Sequence, residues 1–139
     1  TGYWGHPEKT AESLIDGWFH TGDIGYRDER NFLLVIDRRN DMIISGGENI
    51  YPREIEAALG EHPGMPDAAI IGLPDPRWGE VVSCVLSEDA PAEEDLETWL
   101  RERIAGYKIP RQWFRVPQLP RNATGKILKV QLRKQFGGK

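Results

Sequence analysis

Four stretches of this chain combine residue types that can bind or polarise a ligand. In the last, 120–126 (Pro-Arg-Asn-Ala-Thr-Gly-Lys), Lys126 follows a glycine in a polar loop. A lysine so placed is ordinarily solvated, but a positioned ammonium stabilises negative charge building on reacting oxygens. Asp23 closes the stretch 17–23 (Gly-Trp-Phe-His-Thr-Gly-Asp). A carboxylate after a glycine turn either caps the turn or accepts hydrogen bonds from ligand hydroxyls. Arg38 lies in 37–43 (Asp-Arg-Arg-Asn-Asp-Met-Ile), as a surface charge or as a planar fork of donors for an anion. Gly46 and Gly47, inside 45–56 (Ser-Gly-Gly-Glu-Asn-Ile-Tyr-Pro-Arg-Glu-Ile-Glu), suit a tight hairpin turn. Trp78 and Tyr107 sit in polar surroundings and read as partly exposed packing residues or as stacking surfaces.

Other chemistries are set aside by their own patterns. Gly-x-Gly-x-x-Gly is absent, and Gly125-Lys126 is followed by Ile127 where a P-loop needs Ser or Thr. His6, His20 and His62 lack metal-ligand spacing, so no metal site is expected. The single cysteine, Cys84, stands in the apolar run 81–86 and is assigned to core packing, with no disulfide. No run approaches the roughly 20 apolar residues of a membrane span. The formal charge of −4 hides an asymmetry, because residues 101–139 carry eleven Lys or Arg against Glu102 alone. Such a basic end attracts polyphosphate or other polyanions, or is a solvated face. Nucleic acid is disfavoured, since no recognised nucleic-acid module appears and the whole chain is acidic.

The elements that must position these residues follow from periodicity. Pro7 opens a short helix over 5–14, and the β-prone stretches 18–26 and 32–36 pair as a hairpin. The polar break 37–41 reads as a connector, and a domain boundary is placed there, giving units 1–39 and 40–139. Strands 42–45 and 48–51 flank Gly46-Gly47, and Pro52 starts a helix burying Ile55, Ala58 and Leu59, which Gly60 closes. Strands 68–73 and 81–86 follow. A helix then carries Leu96, Trp99, Leu100 and Ile104 on one face, with Glu93, Glu94 and Asp95 at its start as the macrodipole prefers, and ends at Gly106. A strand 113–116 and a final helix with Ile127, Leu128, Val130 and Leu132 complete an α+β unit, a small mixed sheet and a short antiparallel hairpin covered by helices. A hairpin such as that in 1–39 is marginal alone in water. The opening Thr-Gly-Tyr-Trp has neither a methionine nor a secretory signal. The chain therefore reads as part of a longer, cytoplasmic polypeptide.

In this order and spacing the four motifs resemble the closing part of AMP-forming acyl-CoA synthetases, in the adenylate-forming superfamily that includes aryl-CoA synthetases, peptide-synthetase adenylation domains and luciferase. The resemblance implies a mobile C-terminal lid, 40–139, preceded by the β-hairpin tail of a larger ATP-binding N-terminal domain. It implies an acid–thiol ligase, of the kind used in fatty-acid metabolism, using ATP, Mg²⁺ and CoA, with the metal contacts mainly in the N-terminal domain, and an isolated chain without activity. Lys126 would orient the substrate carboxylate and the α-phosphate during adenylation, and could be silenced by a lysine acetyltransferase and restored by a deacetylase. Asp23 would hold the ribose hydroxyls and Arg38 would contact the nucleotide. Asn40 occupies the hinge position, where the family more often has Asp or Lys. Gly46 and Gly47 would border the pantetheine tunnel, with Trp78 and Tyr107 against the CoA adenine and Lys108 and Arg111 near its phosphates. Ile109 stands where some relatives carry a further basic residue. Two other readings are a domain that loads a carrier-protein pantetheine and a non-catalytic polyanion-binding module.

Overall fold

The computed structural model describes residues 2–138, and the chain divides into two compact units, Thr1–Asn40 and Asp41–Lys139. In the first, helix α1 (Pro7–Ser13) begins at a proline whose fixed φ suits the first helical position. Strands β1 (Leu14–Ile15) and β2 (Trp18–Phe19) then pair around Asp16 and Gly17, both at positive φ. A second antiparallel pair, β3 (Asp23–Arg27) and β4 (Leu33–Arg38), contains an irregularity at Ile24/Gly25. The expected single hairpin is thus two, because glycine at 17 and again at 22 turns the chain twice. The expected connector is also shorter: Asp37 and Arg38 remain strand residues, paired opposite Ile24 and Asp23. Among its described residues this unit buries no apolar side chain, and Trp18 is 75% and Leu33 70% exposed.

The second unit has its own core. Strands β5 (Ile43–Ser45) and β6 (Glu48–Ile50) form a two-residue hairpin, and helix α2 (Pro52–Gly60) follows at once, with proline again in its first turn. The long strands β7 (Ala68–Asp75) and β8 (Gly79–Ser87) pair antiparallel along their whole length. On the other edge of β8, β5 meets Gly79 and β9 (Gln112–Val116) runs parallel from Ser83 to Ser87. A parallel partner needs a crossover. It is supplied by helix α3 (Glu93–Arg101) and the 3₁₀ turn Gly106–Lys108.

Strand alternation sorts the apolar residues to two faces. Ile70, Val82, Cys84 and Leu86 meet Ile55 and Leu59 of α2 and Leu96 and Leu100 of α3. Ala69, Ile71, Leu73, Val81 and Val85 meet Leu132 and Phe136 of α4 (Lys129–Phe136). The result is three layers, helices over both faces of one mixed sheet. Cys84 is fully buried, and burial raises its thiol well above its ordinary pKa, so it packs rather than reacts.

Two helix ends depart from expectation. α3 stops at Arg101, not Gly106, because the amides of Arg103 and Ile104 both turn back to the Leu100 carbonyl; Ile104 packs on the core from outside the helix. α4 starts only at Lys129, so Ile127 and Leu128 precede it, and Val130 is 61% exposed. Ile127 instead forms a β-bridge with Arg121.

Candidate functional site

The first cluster is in the N-terminal unit. Cross-strand register puts Asp23 opposite Arg38, and Arg38 Nε reaches Asp23 Oδ1 at 2.8 Å while its Nη1 donates to the Thr21 carbonyl at 3.1 Å. The Arg39 amide donates to the Gly22 carbonyl at 2.8 Å, fastening the end of the strand. Around these residues lies a cleft of about 460 Å³ lined by Glu12, His20, Thr21, Asp23, Arg39 and Asn40 among others. Its lining includes carboxylates and a hydroxyl, suitable for a polar, hydroxylated ligand. Asn40 is exposed at its rim, and the next residue, Asp41, is held in the second unit by Arg133 at 2.8 Å.

The second cluster surrounds the β5–β6 turn. Gly46 (φ +61°) and Gly47 (φ +88°) fill a turn that needs positive φ at both central positions. The Gly46 amide donates to the Trp78 carbonyl at 2.9 Å, and a Cβ on Gly46 would stand 2.9 Å from Trp78 Cε3. Glycine is thus required by both the turn and the indole. Trp78 is half-buried; the guanidinium groups of Arg111 and Arg77 lie over its ring at 4.6 and 4.8 Å. We expect Gly46→Ala to cost more than Gly47→Ala. Each adds about 1–2 kcal/mol of left-handed strain, but nothing lies within 4 Å of a Cβ at Gly47. Comparing urea midpoints and the near-ultraviolet signal of Trp78 checks this; equal losses would mean that Trp78 does not press on the turn.

Lys108 is paired with Glu54. Its Nζ is 2.6 Å from Glu54 Oε1, and lies 5.6 Å from the centre of the 45%-exposed Tyr107 ring. Desolvation pulls its pKa down, but the hydrogen bond and charge of Glu54, with Tyr107 adding, leave it above the ordinary 10.5. A raised folded-state pKa contributes stability that is fully present below the unfolded value and is lost as pH rises through the folded one. The pair therefore supports the fold through neutral pH and fades only above 10.5. Removing it with Glu54→Gln should flatten this alkaline limb of the stability curve, measured by urea unfolding between pH 8 and 11. An unchanged limb would show that the pair is not what titrates.

The third cluster is the loop before α4. Asn122 organises it: its Oδ1 accepts from the Thr124 amide (3.1 Å), the Thr124 hydroxyl (2.8 Å) and the Lys126 amide (2.9 Å), the pattern by which Asn stabilises turns. The Gly125 amide donates to the Asn122 carbonyl and the Asn122 amide to that of Lys126, both at 2.9 Å, with Gly125 at φ +84°. Arg121 joins the Gly125 carbonyl to the carboxylate of Asp67. Lys126 is exposed, and its ammonium makes no ion pair among the described residues. The loop is braced while the cation it carries is available.

The structure therefore joins Asp23 to Arg38, and Gly46 to Trp78 and Arg111, and leaves Lys126 on its own loop. Glu54, Asp67, Arg77, Thr21 and Arg121 were not singled out from sequence; the partners of Glu54 and Asp67, Lys108 and Arg121, lie far along the chain. Asn122 carried a legible turn signal. Among the described residues there is no group of three or more His, Cys, Asp or Glu that could hold a metal ion. No helix among them is long and apolar enough to cross a membrane.

Comparison with known proteins places these clusters in context. The family model of the AMP-binding enzyme C-terminal domain matches residues 54–126. The chain is 51% identical to a feruloyl-CoA synthase of Amycolatopsis sp, over 98% of this chain and 28% of that protein. It is 46% identical to a fatty acid–[acyl-carrier-protein] ligase of Streptomyces coeruleorubidus, over 98% of this chain and 27% of that one. The o-succinylbenzoate-CoA synthetase of Bacillus subtilis, solved with its acyl-adenylate intermediate, superposes with a TM-score of 0.88 at 41% identity, covering 100% of this chain and 29% of that one. The chain thus spans little more than a quarter of the length of these relatives.

Proposed function

This chain belongs to the AMP-binding enzyme C-terminal domain family, and on that footing we propose that it is the lid of an ATP-dependent acid–thiol ligase whose nucleotide-binding domain lies in the same polypeptide. The observation that carries this reading is the braced 122–126 loop, which presents the exposed Lys126 ammonium, without an ion pair among the described residues. In the first half-reaction a carboxylate oxygen attacks the α-phosphorus of ATP, the bond to pyrophosphate breaks, and an acyl-adenylate forms. Negative charge builds on the phosphoryl and carboxylate oxygens, and the ammonium of Lys126 stabilises it. Asp23 accepts the ribose hydroxyls and Arg38, which steadies that carboxylate, adds a positive fork beside the nucleotide.

In the second half-reaction the lid turns about Asn40, Lys126 leaves, and the bare Gly46-Gly47 turn borders the channel through which a pantetheine thiol reaches the acyl carbonyl. Thiolate attack forms the thioester and expels AMP. Trp78 and Tyr107 offer ring faces to the CoA adenine, with Arg111 and Lys108 near its phosphates. A carrier-protein pantetheine is the second reading of the acceptor, and the identity to a carrier-protein ligase favours it. Acetylation of Lys126 would remove the charge and silence adenylation alone.

The test is pyrophosphate release by the longer polypeptide containing this chain, with ATP, Mg²⁺ and a panel of aliphatic and aromatic carboxylic acids. CoA or a phosphopantetheinylated carrier protein is then added. Acid-dependent release, followed by acceptor-dependent AMP, is expected, and the better acceptor decides between the two readings. Absence of release with every acid from the folded protein would overturn the ligase. The chain alone is expected to form no AMP above background.

A further inference from the structure

We propose that Arg121 and Asp67 are positioning residues for Lys126, acting as a clamp that fixes the orientation of the Gly125–Lys126 peptide. This inference rests on the adenylation role of Lys126 argued above. The peptide plane has two hydrogen-bonding edges, and both are held. Its N–H, from Lys126, donates to Asn122 Oδ1 at 2.9 Å, and its C=O, from Gly125, accepts from Arg121 Nη1. The other terminal nitrogen of Arg121 is ion-paired with Asp67 Oδ2.

Asp67 is itself set. Its Oδ1 accepts from the Ala68 amide at 3.1 Å, and Ala68 is the first residue of β7, the strand paired with β8 from Gly79 to Leu86. A line of contacts therefore runs from the central sheet, through a carboxylate and a guanidinium, to the peptide bearing the catalytic side chain. Arginine is suited to this because its rigid fork engages two acceptors at once; lysine offers a single mobile charge. Asp67 and Arg121 are each more than a third exposed, and exposed ion pairs add little to stability. The pair's contribution therefore lies in geometry: a displacement of about 1 Å at a reacting group costs about a hundredfold in rate.

Arg121→Ala, Arg121→Lys and Asp67→Asn in the longer polypeptide test the clamp. The rate of acid-dependent pyrophosphate exchange should fall by about ten- to a hundredfold in Arg121→Ala, and less in Asp67→Asn, which leaves the guanidinium on Gly125. Arg121→Lys should not restore it. Thioester formation from supplied acyl-adenylate and the melting temperature should change little, which a merely structural lesion would not allow. The deciding measurement is the double variant. In a Lys126→Ala background Arg121→Ala should cause no further loss, because a clamp acts only through the ammonium it aims. The same fold-loss in both backgrounds, or full activity in Arg121→Lys, would overturn the clamp while leaving Lys126 in place. No effect of Lys126→Ala itself would remove the underlying reading and the clamp with it.

Discussion

Lys126→Ala should lower the rate of acyl-adenylate formation by about a hundred- to a thousandfold, the scale of losing one preorganised charge-stabilising group, or roughly 3–4 kcal/mol of barrier. The argument is electrostatic. The loop that carries Lys126 is fixed by the three bonds to Asn122 Oδ1, so the ammonium is presented at small reorganisation cost when charge develops. Thioester formation from supplied acyl-adenylate should persist, since in the proposed cycle Lys126 has left the reacting atoms before AMP is expelled. Pyrophosphate exchange and a coupled AMP assay on the same preparation separate the two. Parallel loss of both half-reactions would assign Lys126 to general stability or to binding of the adenylate, not to adenylation. Lys126→Arg keeps the charge and enlarges the head group, and should recover part of the rate.

The second large effect is on the body that carries the loop. Leu100 is wholly buried in α3, in the cluster with Leu96, Ile55, Leu59 and the sheet residues Val82 and Leu86. Truncation to alanine leaves a cavity that a close-packed layer only partly refills, at a cost of about 2–5 kcal/mol. Small domains lose about 1–3 kcal/mol per molar urea, so the unfolding midpoint should drop by about 1–2 M. Val130→Ala on the exposed side of α4 is the comparison, expected within about 0.5 kcal/mol of the parent. If the two variants unfold together, the helical layer over α2 and α3 is not what holds this unit. Total stability of such a unit is only about 5–15 kcal/mol, so Leu100→Ala would also raise its unfolded fraction.

How much of this was legible in the sequence depended on how local the signal was. The Gly46-Gly47 turn, the apolar face of α2 and the acidic start of α3 were readable because each is written within a few consecutive residues. Strand β9 was readable as a strand, but its parallel pairing with β8 was not, since residues 112–116 choose a partner that only the crossover through α3 brings near. Helix ends were misjudged for a related reason. Ile104 and Ile127 continue an apolar pattern, yet they reach the core from outside the helices, one from a bend and the other from a β-bridge, and periodicity cannot tell a helical residue from one packed just outside it. Among site residues, Asp23 and Arg38 stood in recognisable motifs, and their mutual pairing came from strand register. Lys108 also stood out, but its partner in the structure, Glu54, lies 54 residues earlier in the chain; such pairs leave no trace in local spacing.

The fastenings on either side of Asn40 carry a mechanical meaning. The Arg39 amide is tied to Gly22 and the Asp41 carboxylate to Arg133, so the freely turning bonds between them are essentially the ψ of Arg39, the two angles of Asn40 and the φ of Asp41. A tether this short has almost no slack to lose, and chain entropy hardly opposes moving from one setting to another. In the two-step reading proposed above, such a tether would serve as an axle, not a leash. On that reading, lengthening it by a pair of glycines is expected to leave the Lys126 loop and the Gly46-Gly47 turn chemically intact while slowing turnover of the longer polypeptide.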